Sequence, residues 1–247
     1  MRKELINTLR FTKRKMLDKG KHQSVMVNIL REFYSDPKLR SILGFKGETA
    51  AFLFYELPRI SVDLDFDILD EGKLPIVFEK VKKILTNFGE LREATNKRYT
   101  LFFLLSYGKG ERKIKVEISK RKSISSFEMK NYLGISVLVM KKEDMIAGKL
   151  AALLTRKRFA ARDLFDLWFF LKQGWEINEK KVKENTNLSL VQALRKAIKI
   201  VQQVPENRIL NGLGELLDSK QKQGVREKLK EDLIFQIRLY LKTQKTA

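Results

Sequence analysis

Apolar residues recur at helical and strand periods along most of the chain. Over residues 2 to 34, Leu5, Ile6, Leu9, Val25, Met26, Ile29, Leu30 and Phe33 stand three and four apart. That spacing predicts helix, broken near Gly20 and closed by Pro37. Ser41 to Gly47 reads as a short turn or strand leading into a helix from Thr49 to Tyr55, which Pro58 ends. Val62, Leu64, Phe66 and Ile68 then alternate with Asp63, Asp65 and Asp67, a period of two that predicts a strand with three carboxylates on one face. Pro75 to Phe88 fits a helix. Tyr99 to Tyr107, almost wholly apolar, reads as a central strand. Lys113 to Ser119 alternates, with Ile114, Val116 and Ile118 facing the core, and Ile135 to Met140 reads as the last strand. Beyond Lys141 the pattern is helical: Asp144 to Thr155, a strongly apolar Arg162 to Lys172 stopped by Gly174, Val191 to Val204 and Val225 to Leu241, with polar loops around Asn185 and Gln221. The chain is therefore expected to be mixed α+β, with the sheet within residues 1–140 and a helical region over 141–247. No internal repeat or low-complexity tract interrupts it.

Charge changes the picture in one place. The 247 residues hold 51 Lys and Arg against 30 Asp and Glu, a formal charge of +21, which favours polyanionic partners such as nucleic acid or an anionic surface. An excess of Lys kept for solubility would look the same. Between Gly47 and Asp70, however, six acidic residues face one arginine, so an acidic pocket is expected within a basic surround. The basic face Arg10, Lys13, Arg14 and Lys15 could meet phosphates or simply face water.

Cysteine is absent and His22 is the single histidine. Disulfides, thiolate zinc sites, cysteine nucleophiles and histidine-centred triads are excluded together. Catalysis, if present, must run on carboxylates, lysines and metal. With no apolar signal core at the N-terminus and no apolar run approaching membrane length, a soluble, cytoplasmic protein is expected, with no membrane partner.

The alternating acids are the candidate metal site. Same-side positions on a strand lie roughly 6.5–7 Å apart, and like charges held so close call for protons or divalent cations. Mg²⁺ suits them, since it prefers carboxylate oxygens shared with substrate phosphates. A polar strand face turned to water would give the same alternation, although Asp is depleted in strands. An EF-hand beginning at Asp63 fails, because Ile68 and Leu74 stand where glycine and glutamate are required. A phosphatase-type nucleophile fits poorly, because Pro58 to Ser61 precedes the acids in place of a buried apolar strand. Glu117 becomes a third carboxylate of the site if its strand pairs beside Asp63 and Asp65. Gly47 before a helix start is a candidate phosphate cradle. On the apolar C-terminal helix Arg162, Asp163 and Asp166 need partners, and Arg162 can reach Asp166 one turn on.

The segments KGETAAF, RISVDLDFD, KVEIS, DMIAGKLAALLTR and ARDLFDLWFFL, in that order, resemble the nucleotidyltransferase toxins of abortive-infection systems, the AbiEii/AbiGii type of the DNA polymerase beta-like superfamily. The resemblance runs from about Leu43 to Lys172. It implies a small mixed sheet with helices and a Mg²⁺-dependent transfer from a nucleoside triphosphate to RNA, in studied relatives a tRNA 3′ end. As a toxin the protein would have a cognate antitoxin. Carried onto this chain, the resemblance makes Gly47 to Thr49 the phosphate turn, Asp63 and Asp65 the metal-binding acids, Glu117 the third carboxylate, and Lys149 the phosphate-contacting lysine. Arg59 and Ser61 fall beside the triphosphate, and Asp163 and Asp166 are the acids of the buried helix.

Glu48 departs from that pattern, where the family usually has Gly or Ser. A carboxylate there would oppose a triphosphate unless it points away or binds metal. Two metal ions held by Asp63, Asp65 and Glu117 would activate the attacking hydroxyl and stabilise the departing pyrophosphate, with Lys149 neutralising phosphate charge. Glu117 is also a candidate acceptor of the hydroxyl proton. Two rival readings remain: a non-catalytic nucleic-acid- or protein-binding module on the same fold, and a nucleotidyltransferase acting on a protein hydroxyl.

Overall fold

The computed structural model describes residues 18–122 and 124–243. The expected helical segment before Asp18, with Leu5, Ile6, Leu9 and the basic face Arg10 to Lys15, lies outside the described residues. The described chain is a mixed α+β structure built on one seven-stranded sheet of order β3-β4-β5-β2-β1-β7-β6. Its strands are β1 (Leu43–Lys46), β2 (Leu64–Ile68), β3 (Glu90–Lys97), β4 (Thr100–Ser106), β5 (Ile114–Ser119), β6 (Phe127–Tyr132) and β7 (Ile135–Met140). Pairs β1·β7 and β2·β5 are parallel and the others antiparallel. The helices are α1 (Lys19–Ser35), α2 (Gly47–Phe54), α3 (Leu74–Thr86), α4 (Lys142–Thr155), α5 (Ala161–Lys172), α6 (Glu179–Thr186), α7 (Leu190–Gln203) and α8 (Ser219–Thr243).

The apolar halves of the central strands make the core. Phe45 and Phe66 are fully buried, and the Phe66 ring centroid lies 5.1 Å from that of Phe45 and 5.6 Å from that of Phe33 on α1. Because side chains alternate across the sheet, burying Phe45, Leu64 and Phe66 on one face places Lys46 and Asp65 on the other, where α4 and α5 complete the structure. Helix α5 is buried on most sides, as its composition requires.

The break expected near Gly20 falls at the N-terminus of α1: Gly20 sits in its first turn, which the Asp18 side chain caps by accepting from the Lys21 N–H. Three other expectations need correction. Strand β4 is paired on both sides but not buried on both faces: Leu101, Phe103 and Leu105 are buried, while Phe102 and Leu104 are half-exposed. Asn185 lies in helix α6, not in a loop. That helix buries only Lys181 and Val182, so no apolar period announces it. Gln221 lies in the first turn of α8, where it and Asp218 each accept a hydrogen bond from the other's backbone N–H, a capping arrangement that starts the helix ahead of its apolar positions. Strands β3 and β6 were not anticipated, because both are polar edge strands held by backbone pairing to one neighbour.

Truncation of Phe66 removes the ring that joins α1 to β1 and β2. Phe66→Ala is expected to cost about 3–5 kcal/mol, read as a lower urea midpoint with an unchanged slope.

Candidate active site

A cleft of about 930 Å³ opens on the polar face of the sheet between β1, β2, β5, α4 and α6. Its floor follows from strand register. Lys46 on β1 is the partner of Asp65 on β2, and Asp65 is the partner of Glu117 on β5. The expected side-by-side placement of Glu117 with the acidic strand is therefore present. Asp63 precedes β2 and is turned toward β5, where Lys115 Nζ lies 3.5 Å from its Oδ2. Among the described residues, no three acidic or histidine side chains converge on a ready metal position.

The turn into α2 is clamped to this floor. The Thr49 hydroxyl hydrogen bonds the Ser61 hydroxyl at 2.8 Å and donates to the Asp63 carbonyl, so the phosphate-turn candidate and the acidic segment move as one piece. Gly47 has φ +78°, and a Cβ there would lie 2.6 Å from Asp65 Oδ2. Glycine is thus needed twice, for the left-handed backbone and for the close approach to the carboxylate.

Asp65 is the electrostatic centre of the floor. Burial, then the neighbouring charges of Glu117, Glu48 and Asp63, push its carboxyl up to about 7, with Lys46 pulling the other way. Asp67, the next acid on the strand, takes Lys46 as its partner, while its Oδ2 is buried with no hydrogen bond.

One wall is a cluster of compensated charges. Arg59, 2% exposed, donates from Nε and Nη2 to the two oxygens of fully buried Asp166 at 2.6 and 2.7 Å. Lys149 Nζ lies 2.7 Å from Asp166 Oδ2, 2.7 Å from Glu48 Oε1 and 3.1 Å from Asp163 Oδ1. Glu48 also meets Arg59 Nη2 at 2.8 Å and Arg162 Nε at 3.0 Å, the latter an ion pair without hydrogen-bond alignment. Although desolvation alone would raise its pKa, the charges of Lys149, Arg59 and Arg162 hold the Glu48 carboxyl far below the usual carboxylate range. Burial acts against the Lys149 ammonium, but Asp166, Glu48 and Asp163 more than offset it and hold its pKa above the usual lysine value.

The arrangement answers the question raised by Glu48: its carboxylate points into cations and leaves the glycine turn open. It also corrects the expected Arg162–Asp166 pair, since Arg59, arriving from the loop after α2, occupies both Asp166 oxygens and leaves Arg162 to Glu48. Lys149 does not snorkel to solvent; its side chain is 12% exposed.

Of the candidate residues, Gly47, Ser61, Asp63, Asp65, Glu117 and Lys149 line the cleft, whereas Thr49, Arg59, Asp163 and Asp166 stand behind it, in contact with residues that do. Lys46, Lys181 and Asn185 also line it. Lys46 was visible as the residue before the glycine turn, but Lys181 and Asn185 arrive by tertiary packing of a polar helix and left no sequence signal.

Solved structures share this fold. JHP933 from Helicobacter pylori and a candidate nucleotidyltransferase from H. pylori each superpose with a TM-score of 0.62 at 24% identity. Each match covers 92% of this chain and 94% or 96% of the other. No curated protein gives a significant match. The class is that of the nucleotidyltransferases. More particularly, the model of the nucleotidyl transferase AbiEii toxin family, type IV toxin–antitoxin system, matches residues 28–238, and the chain belongs to that family. Membership implies a cognate antitoxin. No helix among the described residues is long and apolar enough to cross a membrane.

The two kinds of carboxylate give opposite stability signatures. Asp65 binds its proton more tightly folded than unfolded, so its contribution to stability falls as pH rises from about 4 through about 7 and stays low above. Asp65→Asn is expected to raise the metal-free melting temperature at pH 8 by on the order of 5 °C, the gain shrinking toward pH 4. Glu48 is depressed, so its contribution is present above the ordinary carboxylate pKa and lost in acid. Glu48→Gln should lower stability at pH 7 by about 3 kcal/mol, a difference that closes as the pH is lowered. Melting curves from pH 8 down to pH 4 check the sign for Asp65, and their continuation into stronger acid checks that for Glu48.

Proposed function

We propose that this nucleotidyltransferase moves a nucleotide from a nucleoside triphosphate to the 3′ hydroxyl of an RNA, a tRNA 3′ end being the acceptor, with Mg²⁺ as its cofactor. The observation that carries the reading is Asp65, a carboxyl at the cleft floor beside Glu117 and Asp63 with no ion pair of its own among the described contacts, whereas Glu48, Asp163 and Asp166 of the wall each have a cation. Those three residues fit a divalent ion by charge and donor type. The Lys115–Asp63 contact is long and half-exposed, so little opposes exchanging it for a metal. Bound there, Mg²⁺ supplies charge neutralisation and polarisation of the phosphoryl oxygens.

The chain's own residues do the rest. The Gly47 turn receives the phosphates against backbone N–H groups, with Ser61 beside them. Lys149, Arg162 and Arg156 line the same side of the cleft and supply positive charge to the leaving pyrophosphate. The acceptor oxygen bonds to the α-phosphorus, the bond from that phosphorus to the bridging oxygen of the β-phosphate breaks, and Glu117 takes the hydroxyl proton on its carboxylate. Asp163, Asp166 and Arg59 fix where the Lys149 ammonium stands.

The non-catalytic rival was motivated by Glu48 and by the large positive charge; the ion cluster accounts for Glu48, and the transfer assay decides between the two readings. Incubating the protein with each labelled triphosphate, Mg²⁺ and either total RNA or total protein tests the reading. Label is expected in RNA, lost to background in Asp63→Asn and Asp65→Asn variants that still melt cooperatively. Lys149→Ala should reduce transfer more than it reduces RNA affinity. Label confined to protein, or undiminished transfer by both aspartate variants, would overturn the reading.

A further inference from the structure

The polar face of the sheet does not end at the acids. Glu117 on β5 is the register partner of Phe102 on β4, so Lys46, Asp65, Glu117 and Phe102 form one cross-strand row with their side chains on the same face. Two strand spacings, about 10 Å, separate Asp65 from Phe102. The opposite face of β4 is buried against α3, where the Phe103 and Phe78 rings lie 5.2 Å apart. Phe102 is half-exposed, and Lys97 Nζ stands 3.6 Å from its ring centroid. At the tip of the β3–β4 hairpin, Tyr99 is 46% exposed, with the guanidinium carbons of Arg98 and Arg121 at 4.9 and 5.1 Å from its ring centroid. Arg121 and its neighbour Lys122 also line the cleft, so the aromatic surface and the catalytic floor share a rim.

Exposed aromatic side chains cost hydrophobic stabilisation and, grouped, mark a binding surface. Rings capped by lysine and arginine are the side-chain chemistry of single-stranded nucleic-acid sites, in which bases stack on aromatic or guanidinium planes and cations follow the phosphates. Double-stranded RNA presents no free base face to such a surface. A protein partner would need an acidic surface of its own to match the four cations, whereas a single strand brings bases for the rings and phosphates for the cations together; of the four, only Lys97 has an acidic side-chain partner among the described contacts, Glu93 at 3.1 Å.

We propose that Phe102 and Tyr99, with Lys97, Arg98 and Arg121, form a stacking track for the unpaired 3′ end of the acceptor RNA, leading from the hairpin tip to the row that holds Glu117 and Asp65. The proposal deepens the reading of the acceptor as RNA and rests on it. It gives β4 its second role: one face closes the core and the other receives bases.

The test is fluorescence anisotropy with a short single-stranded RNA labelled at its 5′ end, compared with the same strand in a blunt duplex. Wild-type protein is expected to prefer the single strand. Tyr99→Ala should weaken that binding by about tenfold and Phe102→Ala further, with little change in melting temperature or in the salt dependence, because neither removes a phosphate contact. Arg98→Ala and Arg121→Ala should each reduce the log–log salt slope by about 0.7. Normal affinity in the folded Tyr99→Ala, Phe102→Ala double variant, or equal affinity for the duplex, overturns the track. The transfer assay separates this outcome from failure of the acceptor reading. Transfer to RNA with normal binding by the double variant removes the track alone. Tyr99-dependent binding without transfer to any RNA removes the acceptor reading alone.

Discussion

The bidentate pair between Arg59 and Asp166 is the interaction on which the rest of the site depends. Both residues are buried, one on the loop after α2 and the other on α5, and their union brings two stretches of chain more than a hundred residues apart to a fixed distance. Lys149 from α4 and Glu48 from the α2 turn complete the cluster. Buried ion pairs contribute little net stability, since desolvation offsets much of the attraction, but removing one partner strands the other. The cluster therefore fixes position more than it adds stability: α2, α4 and α5 can meet the sheet in one arrangement, and the cleft is what that arrangement leaves open.

Within a few ångströms the same fold treats carboxylates in two opposite ways. Glu48, Asp163 and Asp166 are each met by arginine or lysine. Asp65, with Glu117 in register on the next strand, is pushed up by burial and by its acidic neighbours, with Lys46 acting the other way. The difference comes from topology. Parallel pairing of β2 with β5 stacks acid beside acid, whereas the helices bring their cations to the turn above. A cation demand is thereby concentrated at the floor, beside the glycine turn suited to phosphates, and that separation is the physical basis of the proposed chemistry.

Much of this was legible in the sequence where periodicity and chemistry coincided. The alternating acids, the glycine turn and the apolar α5 each carry a local signature, and KVEIS offered Glu117 as a third carboxylate on the condition, met by the β2·β5 pairing, that its strand lies beside the acidic one. What was missed lacked a local signature. Strands β3 and β6 are polar edges fixed by a single neighbour, and α6 buries too little to show a period. The pairing of Asp166 was misassigned to Arg162 because sequence spacing shows only neighbours on one helix. Arg59, from a distant loop, enters through tertiary packing. Glu48 read as an obstacle to phosphate because its partners are spread across three separate elements.

The central claim is that the uncompensated acids, and not the compensated ones, take the metal. Mn²⁺ titration followed by electron paramagnetic resonance, in the presence of a non-hydrolysable triphosphate, tests it directly on variants shown by melting to be folded. Tight Mn²⁺ binding lost in Asp65→Asn and retained in Glu48→Gln is the predicted result. Binding that survives Asp65→Asn, or that disappears with Glu48→Gln, would contradict the account.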